Sequence, residues 1–153
     1  MASGMAFERV YTVDDYYDGP RSGIAEYRGQ PHHYNCEWNE AKGDYAETFM
    51  LTPIDQETLA LAMEQWAIWR QWEGAFHRGE VPQSTHPGIA GASPRYAELE
   101  TTLTARISRQ PIRAKRARPE FRAPEQASLP PGVIRELEVE WTDVEPITPG
   151  DVA

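Results

Sequence analysis

The chain has only one cysteine, Cys36, among 153 residues. A lone cysteine excludes an internal disulfide and fits a reducing compartment. Long apolar runs are also missing: none approaches the roughly 18 residues that a membrane-spanning helix requires. Residues 1–5 have neither the basic nor the apolar stretch of a secretory signal. A soluble, cytoplasmic protein with no membrane partner is expected. No internal repeat or heptad run is present, and no Gly-x-Ser-x-Gly turn that would present a strained nucleophile. These absences name no reaction. They leave architecture as the informative part of the sequence.

Charge is abundant but segregated. The net charge is -9, yet residues 106–122 carry Arg106, Arg109, Arg113, Lys115, Arg116, Arg118 and Arg122 against the single acid Glu120. Acidic stretches lie on both sides. Attraction within the chain or between copies follows more simply from this pattern than a search for DNA. The segment has one aromatic, Phe121, and no groove-reading motif, so nucleic acid is disfavoured as a partner.

The first fifty residues read as short strands. Phe7 to Val13, Ile24 to Tyr27, His32 to Trp38 and Tyr45 to Leu51 are separated by turn chemistry at Asp14–Pro20, Arg28-Gly29-Gln30 and Asn39–Asp44. Short connections favour an antiparallel meander. In the third strand, His32, Tyr34, Cys36 and Trp38 alternate with His33, Asn35 and Glu37, which places the first set inward.

Asp55 is a helix N-cap by type, and Leu59, Met63, Trp66, Trp69, Trp72 and Phe76 follow at spacings of three and four. That helix is expected to stop near Gly79. A loop rich in Pro, Gly and Ser leads to Ser93-Pro94, the cap and first turn of a second helix with Tyr96, Leu99, Leu103 and Ile107 on one face. The fold class expected is α+β: a meander of about four strands packed with two amphipathic helices over residues 5–107. Residues 108–132, with five prolines and few large apolar side chains, read as an extended arm or linker. Residues 133–153 then carry one further strand, in which Leu137, Val139 and Trp141 alternate with glutamates, and an acidic tail.

Five residues invite a catalytic reading, and none has a specific motif around it. Tyr17, Arg21, His32 and His33 could orient an anion or move a proton if the hairpins bring them together. His86 lies beside Ser84 and Thr85 in the long loop. A metal is not expected: on a strand His33 points away from His32, and His32 lies about 13 Å from Cys36 at roughly 3.3 Å per residue. Asp14, Asp15 and Asp18 lack the ligand spacing of a calcium loop and read as a solvated turn. Trp66, Trp69 and Trp72 could form a stacking platform, but core packing is the simpler reading. No cofactor is implied.

A non-enzymatic docking module is the function expected from this pattern, with a protein partner or a second copy engaged through Arg113, Lys115, Arg116, Arg118, Phe121, Arg122, Leu137, Val139 and Trp141. A small enzyme with a pocket near the Tyr16–Arg21 turn and the His32/His33 hairpin is the first alternative, and a nucleic-acid-associated protein acting through the basic arm is the second.

Overall fold

The computed structural model describes residues 7–17, 19–107, 115–123 and 137–144. Its centre is a seven-stranded antiparallel sheet, curled into a half-barrel, with two helices. The strands are β1 (Glu8–Arg9), β2 (Asp15–Tyr16), β3 (Pro20–Tyr27), β4 (Gln30–Asn39), β5 (Asp44–Pro53), β6 (Lys115–Arg122) and β7 (Glu138–Asp143). They lie in the order β1-β7-β6-β5-β4-β3-β2. Helix α1 (Gln56–His77) and helix α2 (Pro94–Ile107) fall between β5 and β6 in sequence.

This corrects the four-strand meander followed by an arm with a single strand. Residues 115–122, inside the stretch read as an arm, form β6 and pair with β5 through Phe49↔Ala117, Met50↔Arg116 and Leu51↔Lys115. On its other side β6 pairs with β7 over six residues, so the terminal strand lies in its own chain's sheet. The low apolar content of this stretch is offset by pairing on both edges of β6. Pro119 is tolerated because β6 leaves β5 after Ala117, so no ladder bond to β5 is required there.

The two ends of the sheet are supplied by the same stretch of chain. Glu8 and Arg9 pair with β7, and the Val10 N–H donates to the Leu137 carbonyl. A few residues later Tyr11 and Thr12 donate to the Ile24 carbonyl and Asp14 donates to Ser22, both in β3. The sheet therefore curls until its first and last pairings meet. The concave side is filled by Tyr34, Phe49, Phe121 and Trp141, whose rings contact one another at centroid distances of 5.8–6.1 Å. Tyr34 and Val139 are fully buried in this cluster.

Gly23 makes the closure possible. A Cβ built there would lie 2.3 Å from the Thr12 carbonyl oxygen and 2.7 Å from the Tyr34 hydroxyl. With no side chain, β3 accepts the N-terminal segment at backbone distance, and the Tyr34 hydroxyl donates to Thr12 O at 2.9 Å.

On β4 the alternation holds for His32, Tyr34 and Cys36, which are buried, and fails at Trp38, which is 51% exposed. The pairing with β5 shifts between Cys36 and Trp38. The surplus of two residues in that irregularity lies on β5, between Tyr45 and Phe49, and the exposed Trp38, next to last in β4, packs edge-on against Tyr45 at 5.2 Å.

Helix α1 is capped by Asp55, whose carboxylate accepts from Thr58 N at 2.8 Å. Its most buried residues are Thr58, Ala62, Gln65 and Glu73, at helical spacings but largely polar. Ala62 joins Ile24, Leu99 and Leu103 in a second apolar cluster, where the helices cover the sheet face that carries Ile24. Arg106 at the end of α2 is bonded to Glu57 and donates to the Thr58 hydroxyl at 3.4 Å, which fixes the two helices end to end. No described helix is long and apolar enough to cross a membrane.

Candidate functional site

Three sequence-distant pieces enclose a cleft of about 280 Å³. The N-terminal segment contributes Val13, Asp14, Asp15 and Tyr16; α1 contributes Gln65, Trp66 and Trp69; the loop and α2 contribute His86 and Tyr96. The helical repeat of α1 explains its share, since Gln65, Trp66 and Trp69 fall on one side of the helix. Tyr96 is placed by the Ser93 cap, whose hydroxyl accepts from Tyr96 N at 3.3 Å.

The loop between the helices is anchored by aromatic contacts. His86 lies 5.0 Å from the Trp69 ring and 4.8 Å from Trp72. Trp69 stacks on Trp72 at 5.5 Å, and Trp72 on Phe76 at 5.0 Å. The Trp72 indole N–H donates to the Thr85 hydroxyl at 2.8 Å, and that hydroxyl donates to the Pro82 carbonyl. The His86 Nδ1 accepts the Gly88 N–H at 2.9 Å, so in neutral His86 the proton lies on Nε2.

Asp14 and Asp15 are the acidic residues of the cleft lining, and Asp14 is the one whose titration burial changes. Burial of its carboxyl by surrounding protein, together with the negative charge of Glu100, pushes its pKa up to about 7, while a hydrogen bond from Thr12 opposes the shift. The residue nevertheless keeps exposed surface at the cleft mouth. Water there screens the carboxyl from Glu100 and so opposes the upward shift. Glu100 accepts from the buried Gln65 side chain at 2.7 Å, which holds its charge beside the cleft. Burial, then Glu100 and Asp14, raise the Tyr96 hydroxyl as well.

The sequence-derived catalytic candidates divide among separate places. His86 lines this cleft. Tyr17 and Arg21 line a second, more open depression of about 670 Å³ with Asp44, Tyr45, Glu47 and Arg118, where β5 and β6 splay apart. Arg21 donates to the Tyr17 carbonyl at 2.7 Å, covers the Tyr45 ring at 4.4 Å and approaches the Cys36 sulfur at 3.4 Å. Burial pushes the Cys36 thiol up, against the pull of Arg21, which leaves it a poor nucleophile. His32 and His33 lie elsewhere. His32 faces Ala25 across the ladder, four positions along β3 from Arg21, roughly 13 Å at 3.3 Å per residue. It packs edge-on to Tyr27, with Nδ1 at 2.9 Å from the Gln30 carbonyl. His33 lies opposite Ile24, on the helix-covered face, where burial lowers its pKa to about 4.

Among the partner-binding candidates, Arg113 lies outside the described residues. Arg116 donates to Glu37 at 3.1 Å and Arg122 to Glu138 at 2.6 Å. Lys115 and Arg118 are exposed on β6. Phe121 and Leu137 pack against the inner cluster, and Val139 and Trp141 are part of it. Among the described residues, no three His, Cys, Asp or Glu side chains gather to hold a metal ion.

Sequence reasoning missed Asp14, Gln65 and Tyr96 as neighbours. One signal was present: Gln65 is a polar residue at a buried helical position, and such a group requires a partner, here Glu100. Nothing in the sequence pointed Asp14 toward α2. The chain matches no protein-family model, no curated protein and no solved structure.

Proposed function

We propose that this chain binds a small organic ligand in the cleft between the Val13–Tyr16 segment, α1 and the His86 loop. The observation that supports this reading is that aromatic side chains (Trp66, Trp69, Tyr96, His86) share one concave space with the adjacent carboxyls of Asp14 and Asp15. Apolar walls with few placed polar groups are what small-molecule sites share. The open depression at Arg21 is a poorer site, because Arg21 and Arg118 are offset there by Asp44 and Glu47.

The test is a fragment screen read by the indole N–H resonances of Trp66 and Trp69. Binders should shift those two signals, and Trp69→Leu should weaken them. A screen with no binder, or binders indifferent to Trp69→Leu, would remove the reading.

Docking of a protein partner or a second copy stays a secondary proposal. It would use the outward row Arg116, Arg118 and Arg122 on β6, since Val139 and Trp141 are turned into the chain's own core. Charge reversal at Arg118, followed by co-purification, tests it. Location in the cytoplasm belongs to the proposal too, supported by the single free thiol of Cys36.

A further inference from the structure

We infer that the ligand of this cleft is an organic cation, a quaternary or protonated amine on a compact body, seated against the Trp66, Trp69 and Tyr96 rings with its charge toward Asp14. The inference rests on the cleft being a ligand site and adds the class of ligand.

Charge decides the class. The cleft lining includes Asp14 and Asp15 and no lysine or arginine, and Glu100 adds a further negative charge close enough to act on Asp14 and Tyr96. The arginines of the two helices are engaged with carboxylates: Arg70 with Glu73, Arg95 with Glu64 and Glu98, Arg106 with Glu57. An anionic ligand would meet repulsion from Asp14 and Glu100. A neutral apolar one would displace water from the Asp14 carboxylate and return nothing for the lost solvation, and a neutral hydrogen-bond donor would return a hydrogen bond but no counter-charge. A cation supplies the missing counter-charge.

The walls favour the same class. The faces of tryptophan and tyrosine rings carry negative electrostatic potential and attract ammonium groups within about 6 Å. The chain's own Arg70 guanidinium already stands 5.8 Å from the Trp66 ring. A volume of about 280 Å³ lies at the small end for organic-ligand sites, which argues for a compact head rather than a large planar body.

The probe pair is choline and its uncharged carbon isostere, 3,3-dimethyl-1-butanol, titrated into the full chain by calorimetry and tryptophan fluorescence at pH 8. Choline should bind at least about tenfold more tightly than the isostere. Asp14→Asn should erase that difference, and an unchanged preference for choline in the variant overturns the inference. A measurement on the unaltered chain stands beside the variant, in case Asp14→Asn perturbs folding. Choline affinity should rise from pH 5 to pH 8 as Asp14 loses its proton, with Asp15, Glu100, Tyr96 and His86 as the other titratable groups facing it, while isostere affinity does not rise. Equal binding of the two probes, lost together in Trp69→Leu, overturns the cation inference and leaves the cleft a ligand site. Failure of choline to bind at millimolar concentration also overturns it, and the fragment screen then decides separately whether the cleft binds anything.

Discussion

The Tyr27 hydroxyl donates a 2.7 Å hydrogen bond to the Asp143 carboxylate, joining β3 to β7 across 116 positions of sequence. Arg28 is paired with the same carboxylate, and the Trp141 indole N–H donates to the Glu26 carbonyl at 2.9 Å. These bonds fasten the last strand to the first hairpin at one end of the curled sheet.

Removing the Tyr27 hydroxyl should therefore weaken the whole fold. Tyr27→Phe is expected to cost about 1.5–3 kcal/mol in urea denaturation at pH 7, the usual worth of a hydrogen bond to a charged acceptor. Burial, then the Asp143 carboxylate, push the Tyr27 pKa up to about 12 from an ordinary 10.0. The folded state thus holds this proton more tightly than the unfolded chain. Its contribution is complete below pH 10 and is lost as pH rises toward 12. The alkaline decline should be shallower in Tyr27→Phe. Parallel declines in the two proteins would show that the bond contributes nothing.

Gly23→Ala should be the most damaging single-methyl change in the sheet. The added Cβ would meet the Thr12 carbonyl at 2.3 Å, and a backbone atom cannot swing aside as a side-chain tip can. A loss of about 3 kcal/mol is expected from chemical denaturation, at the upper end for overpacking. A loss under about 0.5 kcal/mol, the range of ordinary surface changes, would mean that the N-terminal segment does not lie against β3 as described.

His33 should make the protein acid-sensitive above the range in which carboxylates titrate. Burial lowers its pKa from 6.5 to about 4. The fold favours the neutral ring, so this stability is present above pH 6.5 and is lost as pH falls through 4. Replacing His33 by Gln, which does not titrate, should flatten the decline between pH 6.5 and pH 4, by on the order of 2 kcal/mol. An unchanged acid profile would mean that His33 is hydrated.

A chain ending at Ile107 should not fold cooperatively. It lacks β6 and β7, and with them Ala117, Phe121, Val139 and Trp141, which close the cluster over Tyr34 and Phe49. Loss of the near-ultraviolet circular dichroism of the packed aromatics and of a sigmoidal denaturation curve is the expected result. A cooperative transition in this fragment would show that residues 7–107 hold a core of their own.

How far the sequence could be read differs from element to element, for physical reasons. The helix from Asp55 to Gly79 was readable because its signals are local: a carboxylate cap that accepts from Thr58, a repeat of three and four, and a glycine whose φ of 75° suits the turn after the helix. The Arg28-Gly29 turn is equally local, with both residues at positive φ. β6 was unreadable because what makes it a strand is β5 on one side and β7 on the other, formed from residues far away in sequence. Trp38 is exposed where the β4–β5 pairing shifts by two residues, which no alternation pattern records. The cleft could not be read for the same reason: Asp14 and Tyr96 are ordinary residues of a turn and a helix until packing brings them into one wall.

By itself the sequence determined the elements whose hydrogen bonds close within a few residues, and the charge contrast that pairs Arg106, Arg116 and Arg122 with glutamates. Only the tertiary structure decided which strands are neighbours, which face of each is inside, and which side chains share the cleft. Those outcomes depend on contacts between distant residues, whose free energy arises only when the chain has closed on itself. Local propensity carries no record of that closure.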